Sequence, residues 1–586
     1  MSTKNWDVEI SRELYGIRHS IRGDVIDIDG DGYLVVKLGD KDIRVKDIMD
    51  KHGFDIAYIR ILPLIDKSMK LVHETFTTLA RVHGFKGGFI PVYPMKVNPT
   101  RIVVEAIMRY GDKYNWGFNV GSPGELELLI EISEKHNPRL LIYDGVVSET
   151  VLNDLMKLVE RKWHIIVDIG SERDIELLSK YPDLEIGLRI KPLFRTMGKW
   201  ADSTGLGSKF GLALNTLLRL KDEFQWIMER STLLHMHAGS QIYRLQDIKS
   251  LFREIKSMFT ELRRIGFNNI NLVDCGGGMA YPYFDSREGS FESPDYSIVD
   301  YINEMIKAFN DISPPPTLIY EGGRFITASH RVVVARVIDV RPYYAEHKVG
   351  EYNGLSKLIE SANTIEDIKD LLLQLKSFVR KNGLFKKYTI ERREIFEEFT
   401  TYVKDDLARK LSELIKKNPH EIRKVLEDPD LRKLLISPSK RFLVNISIFA
   451  DIPDNVLVDQ YFQVVPVQRL NEKPDVLATI SDLTCDSMGE FKVFISKVNS
   501  DIPAHYWFTE MDSKLMFIPG EIIKLHGVPL HLLNKDERYY IAFLDTGAYQ
   551  DPLAMKHNLI YGAPEIIIDL SENGVEIRVE KCKKPD

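Results

Sequence analysis

From about residue 65 to 330 the chain alternates two kinds of apolar pattern. Leu140-Leu141-Ile142, Ile165-Ile166-Val167, Ile186 to Ile190, Leu233 to His237, Ile270 to Val273 and Thr317 to Tyr320 are short continuous runs. Leu251 to Leu262 instead repeats its apolar positions at helical spacing. Short buried strands alternating with amphipathic helices predict βαβ units and a parallel sheet. Some eight such units over ~250 residues suit a closed (β/α)8 barrel, which places its chemistry at the C-terminal ends of its strands.

The flanking patterns differ. Val25 to Leu38 has β-branched runs on both sides of a Gly/Asp cluster and predicts a β-hairpin. Asp27, Asp29, Asp31 and Gly32 also mimic the start of a calcium loop, but Leu38 stands where the bidentate Glu belongs and strand formers replace the flanking helices. Residues 351 to 440 are more densely charged than the 28% of the whole chain and contain almost no glycine. There Leu371, Leu372, Leu375, Phe378 and Val379 share one helical face, and Ile395, Phe396, Phe399, Val403, Leu411, Leu414 and Ile415 outline another, predicting an inserted helical bundle. Such an insertion reads as structural or as an oligomer contact. Beyond 441, Phe442 to Phe449, Val456 to Val458, Tyr540 to Leu544 and Glu565 to Ile568 look like strands separated by Pro, Gly and Asp. The α/β organisation expected is therefore N-terminal strands (1–64) joining an antiparallel β domain (441–586), a barrel (65–335) and a helical bundle (350–440).

Composition narrows the function. A net charge of −7, from 79 Lys and Arg against 86 Asp and Glu, argues against a nucleic-acid partner. The only cysteines, Cys275, Cys485 and Cys582, are far apart and form no Cys-x-x-Cys pair, so neither a disulfide framework nor a zinc site is indicated and a reducing cytoplasm fits. No apolar leader follows Met1 and no run approaches ~18 to 20 apolar residues, so secretion and membrane insertion are not expected.

Candidate chemistry gathers just after the apolar runs. Lys96, in Pro91-Val-Tyr-Pro-Met-Lys-Val-Asn-Pro99, stands at a strand end between prolines. Apolar surroundings there should lower its pKa and make it a Schiff-base nucleophile. Gly276-Gly277-Gly278 and Gly322-Gly323-Arg324 can bring backbone N–H groups and a guanidinium to a phosphate. One glycine cluster alone would mean only a tight turn. Glu321, preceding the second cluster, could pair with a protonated ring nitrogen. His235 and His237 alternate on one strand, and His237-Ala-Gly-Ser240 sets an imidazole beside a Gly-Ser pair. Thr484-Cys485-Asp486-Ser487 offers a thiol as proton donor, with Asp274-Cys275 a competing pair. Gly547-Ala-Tyr549-Gln550 offers a phenol to a phosphate.

Taken in order, these motifs resemble one family. Tyr93 to Asn98, Gly198-Lys-Trp200 with Ser208 to Leu212, His235 to Gln241, Asp274 to Gly278, Glu321 to Arg324, Val458-Asp-Gln460, Thr484 to Ser487 and Gly547 to Gln550 with His557-Asn-Leu559 are similar to the biosynthetic arginine decarboxylases. The resemblance runs from about residue 15 to 570. It implies a pyridoxal 5'-phosphate enzyme with an alanine-racemase-type barrel, a β domain and the helical insertion, converting L-arginine to agmatine and CO₂ for polyamine synthesis.

By that resemblance Lys96 carries the cofactor and Glu321 holds the pyridinium proton. His237 stacks on the ring, while Ser240, Gly278, Gly323, Arg324 and Tyr549 bind the phosphate. Asp274, Gly276, Gly277, Tyr283 and Asp486 belong to the substrate site, and Cys485 returns a proton after CO₂ leaves. The Cys485 loop would reach the other subunit of a cytoplasmic homodimer or larger homo-oligomer. Magnesium is implied too, although no octahedral carboxylate site can be read from the residues. Two positions depart from the family pattern: Met488 stands where an acidic residue is usual, and Asn119 where a Glu is expected. The first keeps ornithine, lysine and diaminopimelate open as substrates, because a planar guanidinium is best read by a carboxylate. A non-catalytic regulator on the same scaffold is disfavoured, since it has no need of Lys96, Glu321 and Cys485.

Overall fold

The computed structural model describes residues 6–194, 205, 207–286, 292–343, 353–382, 389–435, 438, 440–497, 510–511, 514–515, 522–572 and 574–580. Eight parallel strands, β1 (Phe89–Pro94), β2 (Gly117–Val120), β3 (Leu140–Tyr143), β4 (His164–Ile169), β5 (Glu185–Arg189), β6 (Ser231–His235), β7 (Leu272–Asp274) and β8 (Thr317–Glu321), close a barrel in chain order, with β8 pairing back to β1. Its interior is filled by Val92, Leu140, Ile142, Ile166, Leu233, Leu272 and Ile319. Tyr93, Phe118, Leu141, Ile165 and Val167 pack outward against the helices. Both strand faces are therefore buried, which is why the strands read as unbroken apolar runs. Serine starts several of the covering helices. Ser122, Ser148, Ser171 and Ser297 each accept the N–H three residues on, and Ser297 with Asp300 completes a capping box.

Directly after β8 the chain makes two short helical turns, Arg324–Thr327 and Ala328–His330, and enters the long strand Arg331–Pro342. This strand pairs with Ile56–Ile61, Lys440–Val444 and Tyr540–Phe543, so the β domain is attached to the barrel at the strand end that carries Glu321. The sheet is mixed, in contrast to the antiparallel arrangement expected. Lys440–Val444 runs parallel to Val476–Ser481, and Glu565–Ser571 parallel to Ile56–Ile61. The first parallel pair is possible because the connection between its strands is long enough to cross over.

Two further expectations are corrected within that connection. Val456 to Val458 lies in the helix Asp454–Val458, because Pro453 opens a turn and its carbonyl accepts the N–H groups of Val456 and Leu457. Phe449 lies in the turn Ile448–Asp451, capped by the Ser447 hydroxyl. The N-terminal strands divide. Ile56–Ile61 joins the large sheet, whereas Ile26–Ile28 and Leu34–Leu38 form the hairpin and, with Lys41–Arg44, a separate three-stranded sheet. Its loop carboxylates are neutralised within the fold: Asp27 by Arg12 and Lys37, Asp29 and Asp31 by Arg44. The insertion is helical, with long helices Ile365–Asn382 and Ile390–Lys417 around a core of its own that includes Ile368, Leu372, Leu375, Val403, Leu407 and Leu411. Among the described residues no helix is long and apolar enough to cross a membrane.

Candidate active site

β1 ends in Pro94, and the turn Met95–Val97 that follows carries Lys96. This turn is tied down from two sides. Tyr93 donates its hydroxyl to the Asn98 carbonyl at 3.0 Å. The Asn98 amide donates to the Gly547 carbonyl at 2.8 Å and to Asp551 Oδ2 at 2.6 Å, while the Tyr549 N–H donates to the Val97 carbonyl at 2.7 Å. Asp551 is itself clamped by Arg60 and Arg331. Burial would raise its carboxyl, but these two guanidinium groups hold it well below the usual range. The strand end bearing Lys96 is thus fixed to the β domain by a buried ionic anchor.

Lys96 is open to solvent yet ringed by protein atoms, as at the floor of a concave pocket. Burial by itself lowers its pKa, as the sequence suggested. Glu321, Tyr549 and Asp144 outweigh that effect, so the direction is upward and the expected lowering is corrected.

β6, β7 and β8 supply the facing wall. Gly276 (φ +67°) and Gly278 (φ +98°) turn the chain after β7 in a conformation open to glycine. A Cβ on Gly276 would lie 2.7 Å from His237 Nδ1. The Gly277 N–H donates to that same Nδ1 at 3.1 Å, so His237 is neutral with its proton on Nε2, in keeping with burial and the nearby Lys96 charge driving its pKa well down.

Glu321, at the end of β8, is buried and receives the Asn119 amide on Oε1 at 2.9 Å. Asn119 thus occupies a working position at the end of β2. Behind Glu321 lies a polar cluster of which sequence reasoning singled out only His235. His235 Nδ1 is 2.6 Å from Asp168 Oδ2, His235 Nε2 is 3.7 Å from Glu321 Oε1, and Arg189 pairs with Asp144. The signal available was positional: Asp168 and Arg189 fall at the ends of apolar runs, as Glu321 does.

The opposite end of the pocket is cationic. Arg324 is buried, donates from Nε to Ser240 Oγ at 3.3 Å and from Nη1 to the Tyr283 hydroxyl at 2.8 Å, and lies 4.6 Å from the Tyr549 ring centroid. Its Nη2 has no hydrogen-bond partner among the described residues. Asp454 Oδ2 stands 3.6 Å from Nη1.

A single cavity is lined by Lys96, His237, Ser240, Gly277, Gly278, Glu321, Gly323, Arg324 and Tyr549 together with Pro94, Val97, Met279, Tyr320 and Phe325. Asp274, Gly276 and Tyr283 do not face it. Asp274 is fully buried and accepts the Gly276 N–H at 2.8 Å, and Tyr283 is buried against Arg324, so both support the wall where substrate contact was expected.

Cys485 and Asp486 are elsewhere. Cys485 is exposed, with Sγ 3.3 Å from the Asn558 amide nitrogen, and Asp486 Oδ2 is 3.8 Å from His557 Nε2. Neither lines the Lys96 cavity. The competing Cys275 is fully buried, and burial, then the Asp274 charge, push its thiol well up, which unfits it as a proton donor near neutrality. Gly198 to Trp200 and Cys582 lie outside the described residues.

A family model described as pyridoxal-dependent decarboxylase, pyridoxal binding domain, matches residues 71–328. The biosynthetic arginine decarboxylase of Phocaeicola vulgatus is 30% identical, over 98% of this chain and 90% of that protein. Its counterpart in Bacteroides thetaiotaomicron is 29% identical over the same shares. Among solved structures, the biosynthetic arginine decarboxylase of Campylobacter jejuni superposes with a TM-score of 0.73 at 26% identity, covering 97% of this chain and 90% of that one. A diaminopimelate decarboxylase from M. jannaschii shares the fold, with a TM-score of 0.59 at 16% identity over 95% of each chain.

The cavity suits a pyridoxal phosphate. It sets an amine, a buried carboxylate and an imidazole around one space, and it ends at a buried guanidinium nitrogen that lacks a partner, the donor a phosphate would satisfy. Magnesium fits less well. Among the described residues, the clusters with converging donor atoms, Asp144-Asp168-His235 and His235-Asp274-Glu321, both depend on His235, which is engaged with Asp168 and shares its surroundings with Arg189 and Lys96.

Proposed function

The chain belongs to the biosynthetic arginine decarboxylases, within the pyridoxal-dependent decarboxylases, and from that membership we propose that it converts L-arginine to agmatine and CO₂ as the entry to polyamine synthesis. The observation that carries this reading is the one cavity uniting Lys96, Glu321, His237 and Arg324. When bound, pyridoxal phosphate supplies an electron sink for the pair of electrons released with CO₂.

Lys96 would be the amine that binds the cofactor's aldehyde carbon. Glu321, oriented by Asn119, would face its ring nitrogen, and His237 would cover a ring face. Ser240, the Gly278 and Gly323 backbone, Arg324 and Tyr549 would take the phosphate. Tyr283 and Asp454 hold the Arg324 guanidinium in place, so that Nη2 remains for the phosphate. Asp274 and Gly276 shape the turn beneath the substrate, and Gly277 forms part of its wall.

Cys485 returns a proton to Cα, and Asp486 meets the distal end of the substrate, both from a second subunit. The exposure of Cys485, the absence of both residues from the Lys96 cavity, the exposed Met488 two residues after Asp486 and the exposed Leu559 next to Asn558 support a homodimer or larger assembly. Cytoplasmic residence is part of this reading. No step is assigned to magnesium.

The test is CO₂ release by the purified, cofactor-loaded protein with L-arginine, L-ornithine, L-lysine and meso-diaminopimelate at equal concentration. Arginine should be turned over fastest. Met488 is 56% exposed and brings no carboxylate, so faster turnover of another amino acid would overturn the substrate and leave the reaction class standing.

A further inference from the structure

The imidazole of His235 is enclosed by acids. Nδ1 is 2.6 Å from Asp168 Oδ2, and Nε2, 3.7 Å from Glu321 Oε1, has no hydrogen-bond partner among the described residues. Donor atoms of Asp274 and Glu321 converge with it within 4.8 Å, as do those of Asp144 and Asp168 on the other side. The cations facing this cluster are Arg189, which pairs with Asp144, and Lys96. His237 adds no donor toward Glu321, because its Nδ1 accepts the Gly277 N–H. Three carboxyl groups beyond the Asp144–Arg189 pair cannot all ionise in one buried space.

A bare Nε2 would set its lone pair against the Glu321 carboxylate. A protonated Nε2 would instead turn its N–H toward Oε1 across 3.7 Å, an electrostatic contact longer than the hydrogen bond Oε1 receives from Asn119. We propose that Asp168 and His235 form a positioning pair for Glu321, holding two protons between them, so that His235 turns Nε2–H toward Oε1 and leaves Oε2 to accept the protonated ring nitrogen. One proton lies on the 2.6 Å contact and the other on Nε2. No bond is made or broken; the pair keeps Glu321 aimed.

The electrostatics agree with this proton count. Burial, opposed by Arg189, raises Asp168 to about 7. Burial, opposed first by Glu321, lowers His235 to about 4, which withholds a third proton. Between about pH 4 and 7 the shared proton therefore sits on the Asp168 side, and the neutral imidazole keeps its own proton on Nε2.

The inference rests on the ring-nitrogen role of Glu321, and two measurements separate the two. In unmodified apoprotein labelled with ¹⁵N-histidine, His235 should show a protonated Nε2 between pH 5 and 6, below the Asp168 value of about 7; a bare Nε2 there overturns the pair. In cofactor-loaded protein, His235→Leu should move the pH midpoint of the visible spectrum by about one unit. It should lower kcat about tenfold with little change in KM. His235→Gln, whose side-chain amide can still donate to Glu321, should restore most of both. An unchanged midpoint in His235→Leu, with Glu321→Gln displaced, overturns the pair alone. An unchanged midpoint in Glu321→Gln overturns the ring-nitrogen reading as well.

Discussion

Glu321 and Arg324 are buried where β8 passes into its helical turn, and each is held by several side chains; Cys485 stands exposed on a β-domain loop, with Asn558 beside its thiol. One region organises its groups before anything binds. The other leaves its thiol exposed, away from the Lys96 cavity. Buried charges must be paired or hydrogen-bonded in advance, because each unsatisfied one is costly, whereas a thiol on an exposed loop needs no such framework. The difference teaches that the cofactor side of the proposed site is assembled within the chain, whereas the proposed proton donor is not joined to it there.

The largest effect should come from the buried region. Lys96→Ala should lose the visible band of the bound cofactor and at least about 10³-fold of CO₂ release. A borohydride-reducible adduct surviving in that variant would point to another lysine. Cys485→Ala should cost about 10²-fold in kcat and leave the band intact, because a proton donor acts after the cofactor is held. Mixing the two variants sharpens the contrast. If the sites are shared between subunits, half of randomly assorted dimers carry one intact site of two, restoring about a quarter of wild-type activity. Failure of the mixture to regain activity, with subunit exchange verified, would place Cys485 outside the shared site.

Arg324 tests the cofactor end of the comparison. Arg324→Ala removes the guanidinium and leaves Asp454 buried without its partner. Charge-assisted bonds of this kind are worth about 1.5–3 kcal/mol, so cofactor affinity should weaken about 10- to 100-fold, read by equilibrium dialysis at fixed protein concentration. Affinity unchanged within twofold would move the phosphate away from Arg324.

Much of the buried region was legible because strand ends are marked in the chain. Apolar runs located the barrel strands, and glycine clusters after them marked turns that only a small residue can make, as at Gly276 and Gly278. Lys96, Glu321 and Arg324 could be placed by that logic alone. What was not legible depends on contacts across the barrel. Nothing in the spacing of Asp168 and His235 says that they touch, and Tyr283 reads as a substrate residue until its hydroxyl is found on Arg324. The expected lowering of the Lys96 pKa failed for the same reason, since it considered apolar walls and not the facing Glu321. In the β domain, short runs such as Val456 to Val458 are too brief for periodicity to separate strand from helix, and Pro453 decides the matter.

The smallest effect expected is a pH dependence confined to the buried region. An Asp ionises near 3.9 in an unfolded chain, while burial raises Asp168 to about 7 in the folded one. Between these values the folded state binds a proton that the unfolded state has released, so this group's contribution to stability declines as pH rises from about 4 to 7 and levels off above. Asp168→Asn removes that contribution, and its amide can still donate to His235 Nδ1. The histidines with lowered values, His235 at about 4 and His330 at about 3, pull the other way below pH 6.5. His330 does not touch residue 168, so its effect cancels in the difference, while His235, which does, is neutral in the fold above about pH 5, where the difference is read. The Tm of apo Asp168→Asn minus that of the apo parent should therefore climb between about pH 5 and 7, by at most about 1.4 kcal/mol per pH unit in stability, and then stay level. A difference that is flat across this range would show that Asp168 is ionised in the folded chain. The two protons assigned to it and His235 would then have to be divided otherwise.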